Sequence, residues 1–190
     1  VSALPFDRLL DVLEPELRQA SSYFSGLNNL EISPITSVHF WFDRSFTELP
    51  HVVFVDCLGQ WLFRRESTPG EHYFQVVISA SREARELGHE ELRERVLQEL
   101  RGLFPEAADA KVLRHRVVTE HAATFSVVPG VDAYRPSQVS PINNLFVAGD
   151  WTNTGWPATM EGAVRSGYLA AEGLLAKAGS PESLIQADLA

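Results

Sequence analysis

The segment Asn144 to Ala163, NLFVAGDWTNTGWPATMEGA, sets one carboxylate, Asp150, behind Gly149 at the end of an apolar run and shortly before a helix start. An ionised aspartate only accepts hydrogen bonds, so Asp150 suits a ligand hydroxyl or the amides of its own turn. Pro157 is expected at the first helical position, where a missing N–H costs nothing. The N–H groups around Ala158, Thr159 and Met160 would then point back toward the turn with a partial positive charge, suited to an oxyanion or an electron-rich carbonyl. Ala163, Ser166, Gly167, Ala170, Ala171 and Leu174 make a small-residue face that admits a backbone or a planar ligand, and Trp151 and Trp156 offer flat apolar walls. On these residues alone two readings stand level. One is a ligand-gripping turn; the other is a buried strand leading into a packed helix, with Asp150 bonding its own backbone.

Other reactive side chains carry less. Cys57 follows a strand without an identifiable base and reads as an inert thiol. The six histidines show no i,i+4 ligand spacing, so no metal site is expected. His39 sits in an apolar strand and reads as a satisfied core residue, and Arg64-Arg65 as a solvated strand end. The 190 residues allow one full-sized domain or somewhat more. A net charge of -9, from 25 acidic against 16 basic residues, argues against a nucleic-acid partner. No apolar run has transmembrane length, no signal peptide is visible, and a single cysteine excludes an internal disulfide framework; a cytoplasmic setting is expected.

The elements that must position these residues follow from periodicity. Helices are expected over Phe6–Leu13 and Pro15–Phe24, with Ser33-Pro34 as turn chemistry. Strands are expected over Ile35–Phe42, His51–Asp56, Gln60–Arg64, His72–Ser79 and Lys111–Phe125, the middle ones as a meander. Between His89 and Phe104, Leu92, Val96, Leu97, Leu100, Leu103 and Phe104 fall on one helical face, and Pro105 stops the helix. Asn144–Ala148 reads as a short buried strand and Pro157–Lys177 as a second long helix. The fold class is α+β: a mixed β-sheet with covering helices, plus a C-terminal strand–turn–helix without enough partners for its own layered domain.

The C-terminal segment resembles the flavin-binding signature of the flavin amine oxidase and phytoene desaturase superfamily. It is most similar to the branch of squalene-associated FAD-dependent desaturases, the hydroxysqualene dehydroxylases. The resemblance rests on Asn144–Thr152 and Gly155–Val164, and extends to Ser37–Asp43, His121–Phe125, Pro129-Gly130 and Arg135-Pro136. It implies an α/β complete protein with a FAD/NAD(P)-binding Rossmann-like domain, divided here as 1–34 returning to the FAD-binding domain, 35–136 the substrate-binding domain, 137–180 the C-terminal FAD-binding segment and 181–190 a tail. It implies FAD as cofactor, held by Gly149, Asp150, Trp156, Pro157, Ala158, Thr159, Met160 and Ala163. Asp150 would meet the ribityl chain or pyrophosphate, and the N–H groups near Thr159 and Met160 the N1–C2=O edge of the ring.

The family's G-x-G-x-x-G fingerprint does not occur, Val1 stands first, and Met160 is the only methionine. The expectation is a C-terminal fragment, inactive alone, whose partner is the N-terminal half of the same protein. Ala122 falls where some amine oxidases carry a flavin-linked cysteine, and Ala123 and Thr159 where their aromatic cage sits. The resemblance therefore implies non-covalent FAD and a bulkier apolar substrate, an isoprenoid of squalene type in bacterial hopanoid biosynthesis, with peripheral contact to the inner membrane. His121 is a candidate acid by proximity alone; no catalytic residue is assigned. The alternatives are a carotenoid desaturase, an amine oxidase, or a non-catalytic binding module without cofactor.

Overall fold

A computed structural model describes residues 1–19 and 21–186. The chain divides into two compact units, one formed by Ile32–Thr124 and the other by Val1–Glu31 together with Phe125–Ala190. Residues 125–136, grouped from sequence with the sheet, lie in the two-segment unit, where the Ser126 N–H donates to the Glu31 carbonyl at 2.6 Å. Residues 187–190 of the expected tail lie outside the described residues.

The sheet unit is built on five strands, β1 Ile32–Phe42, β2 His51–Val53, β3 Trp61–Arg65, β4 His72–Ser79 and β5 Val112–Phe125, in the order β2-β3-β4-β1-β5. The pairs β2/β3, β3/β4 and β4/β1 are antiparallel. On β1, buried Val38, Phe40 and Phe42 alternate with half-buried Ser37, His39 and Trp41, the period-2 pattern of a sheet with one face in a core. Helix α4, His89–Leu103, packs Leu92, Val96, Leu97 and Leu100 into the same apolar cluster as Val38, Phe40, Phe42, Leu62, Phe74 and Val76. Leu103, expected on that face, is exposed.

Three boundaries differ from the sequence expectation. Strand β1 starts at Ile32 and absorbs Ser33-Pro34; Pro34 has no N–H to offer the ladder, and its carbonyl accepts from the Ser81 N–H at the strand's end. Strand β2 stops at Val53 because the chain turns, with Asp56 at φ 58. That turn is pinned by Glu99 of α4, whose carboxylate accepts the Leu58 and Gly59 N–H groups at 2.6 and 3.0 Å. Pro105 ends α4 and also opens a one-turn helix, α5 Pro105–Ala108.

In the two-segment unit, the expected helix over Pro15–Phe24 is two short ones, Pro15–Gln19 and Ser22–Ser25. Ser21 is extended at φ -144, and its hydroxyl caps the second through the Tyr23 N–H. The helices Phe6–Val12 and Ser22–Ser25 and the 3-10 turn Gly26–Asn29 bury Phe6, Leu9, Phe24 and Leu27 in one cluster with Phe125, Val131, Val147 and Trp151, whereas Pro15–Gln19 buries none of its residues. The last helix, α6, runs Met160–Lys177.

Leu100 is fully buried between α4 and the sheet, so Leu100→Ala is expected to destabilise the sheet unit by about 2–5 kcal/mol, read as a lower urea midpoint. Burial, aided by the charges of Arg116 and Arg65, holds His39 below the usual imidazole range. The folded protein thus binds fewer protons than the unfolded chain just below pH ~6.5. Its contribution to stability is complete above that pH and is lost on acidification. His39→Gln is expected to flatten this part of the stability–pH curve, which urea melts at a series of pH values would measure.

Candidate functional site

The turn between Ala148 and Met160 has almost no ladder hydrogen bonds of its own. Val147 and Phe146 form isolated bridges only, Val147 parallel to Ser2 and Phe146 antiparallel to Val139, so the expected strand Asn144–Ala148 shrinks to two bridged residues. Ser2 donates to the Phe146 carbonyl at 2.8 Å and accepts from the Ala148 N–H at 2.8 Å. Gly149 follows with φ 151, and a Cβ there would lie 2.3 Å from Trp151 Nε1, so both backbone and space demand glycine. Its N–H donates to the Ser166 hydroxyl at 2.7 Å, which fastens the turn to the middle of α6. Trp151 is not a ligand wall: its ring is buried in the core and its Nε1–H donates to the Leu4 carbonyl at 3.1 Å.

The turn's carbonyls are satisfied by one side chain. Arg135 Nη2 donates to the carbonyls of Asp150, Thr152 and Trp156 at 3.0, 2.7 and 3.0 Å, and Nη1 donates to the Asp132 carboxylate at 2.9 Å. Its side chain is 6% exposed and its guanidinium lies 5.7 Å from the Phe125 ring centroid. Gln138 adds bonds to the Thr152 hydroxyl and the Asn153 carbonyl at 3.0 and 2.9 Å. The Tyr23 hydroxyl donates to the Ser137 carbonyl at 2.5 Å, and burial pushes that phenol's pKa up.

Helix α6 begins three residues later than expected. Pro157 precedes the helix, and Thr159 is the N-cap: its hydroxyl accepts from the Gly162 N–H at 3.1 Å and donates to the Pro157 carbonyl at 3.2 Å. A Cβ on Gly162 would lie 2.5 Å from that carbonyl, which explains the glycine inside the first turn. The helical ladder opens with the Ala163 N–H donating to the Thr159 carbonyl. The N–H groups of Met160 and Glu161 precede that ladder and aim out of the helix start. The donors therefore shift from the expected 158–160 to Met160 and Glu161.

The small-residue face of α6 also divides. Gly162, Ser166 and Ala170 are buried, and a Cβ on Gly173 would meet Val139 at 2.8 Å and Phe146 at 3.3 Å, whereas Gly167 and Leu174 are exposed. Beside the turn, Phe125, Arg135, Trp156, Pro157 and Ala158 line an open cleft of about 530 Å3. Gly149, Asp150, Thr159, Met160 and Ala163 do not line it. Arg165 stands 4.8 Å above the Trp156 ring.

Sequence reasoning named Ser166 only on the small-residue face and Arg135 only within the resemblance, without their roles in the turn, and did not name Gln138. Ser166 was visible as the one hydroxyl on an otherwise apolar helix row. Arg135 and Gln138 act on backbone carbonyls, which no residue spacing reveals. The remaining candidates lie in the sheet unit. The Cys57 thiol is pushed up by burial, Glu99 and Asp56, and is unfit as a nucleophile. His121 is exposed on β5, Arg64 pairs with Glu48 at 2.6 Å, and His39 is half-buried on the sheet face away from α4. Among the described residues no group of three or more His, Cys, Asp or Glu could hold a metal ion, and no helix is long and apolar enough to cross a membrane.

A family model of flavin containing amine oxidoreductases matches residues 1–175. The chain is 31% identical over 188 residues to a 15-cis-phytoene desaturase of Synechococcus elongatus, a match covering 93% of this chain and 40% of that protein. It is 33% identical over 174 residues to a hydroxysqualene dehydroxylase of Sinorhizobium fredii, covering 88% and 38%. The chain thus spans 40% or less of the length of these curated relatives. A redesigned putrescine oxidase superposes with a TM-score of 0.68 at 16% identity, over 92% of this chain and 42% of that one, a likeness of fold.

Replacing Arg135 by Met removes the donor to three turn carbonyls while keeping bulk. A loss of roughly 3 kcal/mol is expected, since partly buried carbonyls lose a charged partner. Arg135→Lys is expected to recover less than half, because an ammonium cannot reproduce the planar fork. Urea melts of both variants would check it.

Proposed function

Because the chain belongs to the flavin containing amine oxidoreductase family, we propose that it supplies the flavin-edge contacts and the substrate sheet of a FAD-dependent oxidoreductase acting on a squalene-type isoprenoid. The reaction we favour is reduction of hydroxysqualene to squalene. The observation that carries the cofactor assignment is the start of α6. Thr159 takes up the Gly162 N–H and leaves the Met160 and Glu161 N–H groups outside the helical ladder, at the end of a turn fixed by Arg135. Two backbone donors on an 18-residue helix dipole suit the electron-rich carbonyl edge of a flavin ring. The donor set fits that group.

In this reading Met160 and Glu161 would hold the ring edge, and Asp150 would accept a hydrogen bond from a ribityl hydroxyl. Gly149 and Ser166 keep the turn against the helix, so that these groups are placed before the cofactor arrives. Flavin, when bound, supplies hydride exchange with an allylic carbon. Ala122 and Ala123 carry neither a thiol nor a ring, which supports non-covalent flavin and a substrate larger than a small amine. An apolar substrate of this kind would reach the enzyme from a membrane surface. The division into a FAD-binding part and a substrate-binding sheet is part of the same proposal.

The likeness to hydroxysqualene dehydroxylase supports this choice of substrate. A second reading, desaturation of a carotenoid precursor, has support from the longer match to phytoene desaturase. The two differ in the direction of hydride transfer. The FAD-loaded enzyme carrying this chain should form squalene from hydroxysqualene under reducing conditions, and should leave a panel of amines untouched. Phytoene desaturation without squalene formation would establish the second reading; rapid amine oxidation would overturn both. In the same enzyme, Asp150→Ala is expected to weaken FAD binding by roughly 1.5–3 kcal/mol, and Glu161→Gln by much less. Fluorescence titration of FAD would measure both.

A further inference from the structure

The strand pair that leads into the candidate turn is parallel and open on one side. Ser2 bridges Val147 in the parallel sense; its N–H donates to the Phe146 carbonyl and its carbonyl accepts from the Ala148 N–H, each at 2.8 Å. Successive residues of a strand turn their backbone groups to opposite edges, so Ala3 directs its N–H and carbonyl away from Val147. Ala3 is exposed, and among the described residues no backbone hydrogen bond reaches it. The other edge is closed, because the Val147 N–H donates to the Gln138 carbonyl and Val139 bridges Phe146. Parallel strands belong to sheets with both faces covered, and Ser2 with Val147 is only two strands of one.

Helix α6 covers one side of this pair. Ala170 packs with Phe146 and Ala148, and Gly173 lies against Val139 and Phe146. The opposite side of the helix is apolar as well. At about 100° per residue, Val164, Gly167, Tyr168, Ala171 and Leu175 share one sector of about 100°, and the charged residues Glu161, Arg165, Glu172 and Lys177 all fall outside it. Val164 and Tyr168 are 54% and 49% exposed. A surface helix normally turns its polar side outward; one that is apolar on both sides is normally covered on both. Gly167 points the same way. A Cβ there would meet nothing within 4 Å, so its own unit does not require glycine, unlike Gly162 and Gly173. Glycine inside a helix weakens it, and what it gives in return is close approach of another backbone.

A second copy of the chain suits this surface poorly. A two-fold pair sets a strand edge antiparallel to its copy, whereas a parallel neighbour comes by a crossover from elsewhere in the fold. The relatives carry most of their length outside the matched segment, since the match covers 40% of the phytoene desaturase and 38% of the hydroxysqualene dehydroxylase. We propose that this remaining part of the family polypeptide docks here. It adds an apolar strand parallel to Ser2, bonded to the Ala3 N–H and carbonyl, and lays an apolar element against α6 across Gly167. The surface is the same whichever substrate the enzyme takes.

The test co-expresses the 190-residue chain with the part of the Sinorhizobium fredii hydroxysqualene dehydroxylase that lies outside the match, and follows association by light scattering and amide exchange. A one-to-one complex is expected, with exchange at Ala3 slowed by roughly tenfold or more. Gly167→Leu should leave the urea midpoint of the chain unchanged or raised, because leucine favours a helix over glycine, yet weaken association by roughly tenfold by holding the partner off α6. Ala3→Pro, which removes the outward N–H while Ser2 keeps both of its bonds, should weaken it to a similar extent. Absence of a complex, a homodimer of the chain in its place, or association unchanged in either variant would overturn the docking surface. A complex that forms as expected but makes no squalene would remove the reaction proposed above and keep the surface.

Discussion

The guanidinium of Arg135 is the interaction on which the C-terminal turn depends. A chain that runs from a buried bridge to a helix start without forming a ladder leaves its carbonyls unsatisfied, and each would carry a desolvation cost if merely buried. Arg135 meets three of them with one planar group and balances its charge on Asp132. Gln138 and Ser166 complete the arrangement from either flank. None of these side chains needs to touch a ligand to matter. They fix the backbone that carries Asp150 and the helix N–H groups, and a preset geometry of this sort is what lets a few donors bind a cofactor edge without an ordering cost at each encounter.

The helix start and the turn are bound together by small residues. Gly149 is dictated by Trp151 and by its own φ, Gly162 by the Pro157 carbonyl, and Gly173 by Val139 and Phe146. Adding one methyl group at any of these positions forces backbone or ring to move. The apolar row of α6 is therefore spent largely on packing against its own unit, and a planar ligand is left the capped end of the helix and not its flank. The sheet unit follows a different logic. One face is a conventional core under α4; the other is a network of half-buried rings and polar groups that bond to one another.

Periodicity made most of the fold legible. The alternation of Val38, Phe40 and Phe42 and the stripe of Leu92, Val96 and Leu100 each report a single buried face, and that is why the five strands and α4 stand close to where they were expected. Ends were less legible, because caps and pins decide them. Ser21 splits one expected helix, Asp56 at positive φ shortens β2, and Thr159 moves the start of α6 past Pro157. In the candidate site, Gly149 could be read from residue types, whereas the helix start expected at Pro157 stands at Met160. Trp151 could not be placed, since a tryptophan beside a ligand and one buried in a core have the same identity. His39 was read as a core residue on the strength of its apolar neighbours, but those neighbours alternate. The residues flanking it in sequence, Val38 and Phe40, point into the core, and His39 itself lies on the opposite face.

The central claim is that the start of α6 holds an electron-rich edge of bound flavin through the backbone N–H groups of Met160 and Glu161. The most direct measurement is amide hydrogen exchange at those two residues in the enzyme carrying this chain, with and without FAD. The account predicts that FAD slows exchange at Met160 and Glu161 while Gly162, already bonded to Thr159, changes little. Unchanged exchange at Met160 and Glu161 with FAD demonstrably bound would contradict it.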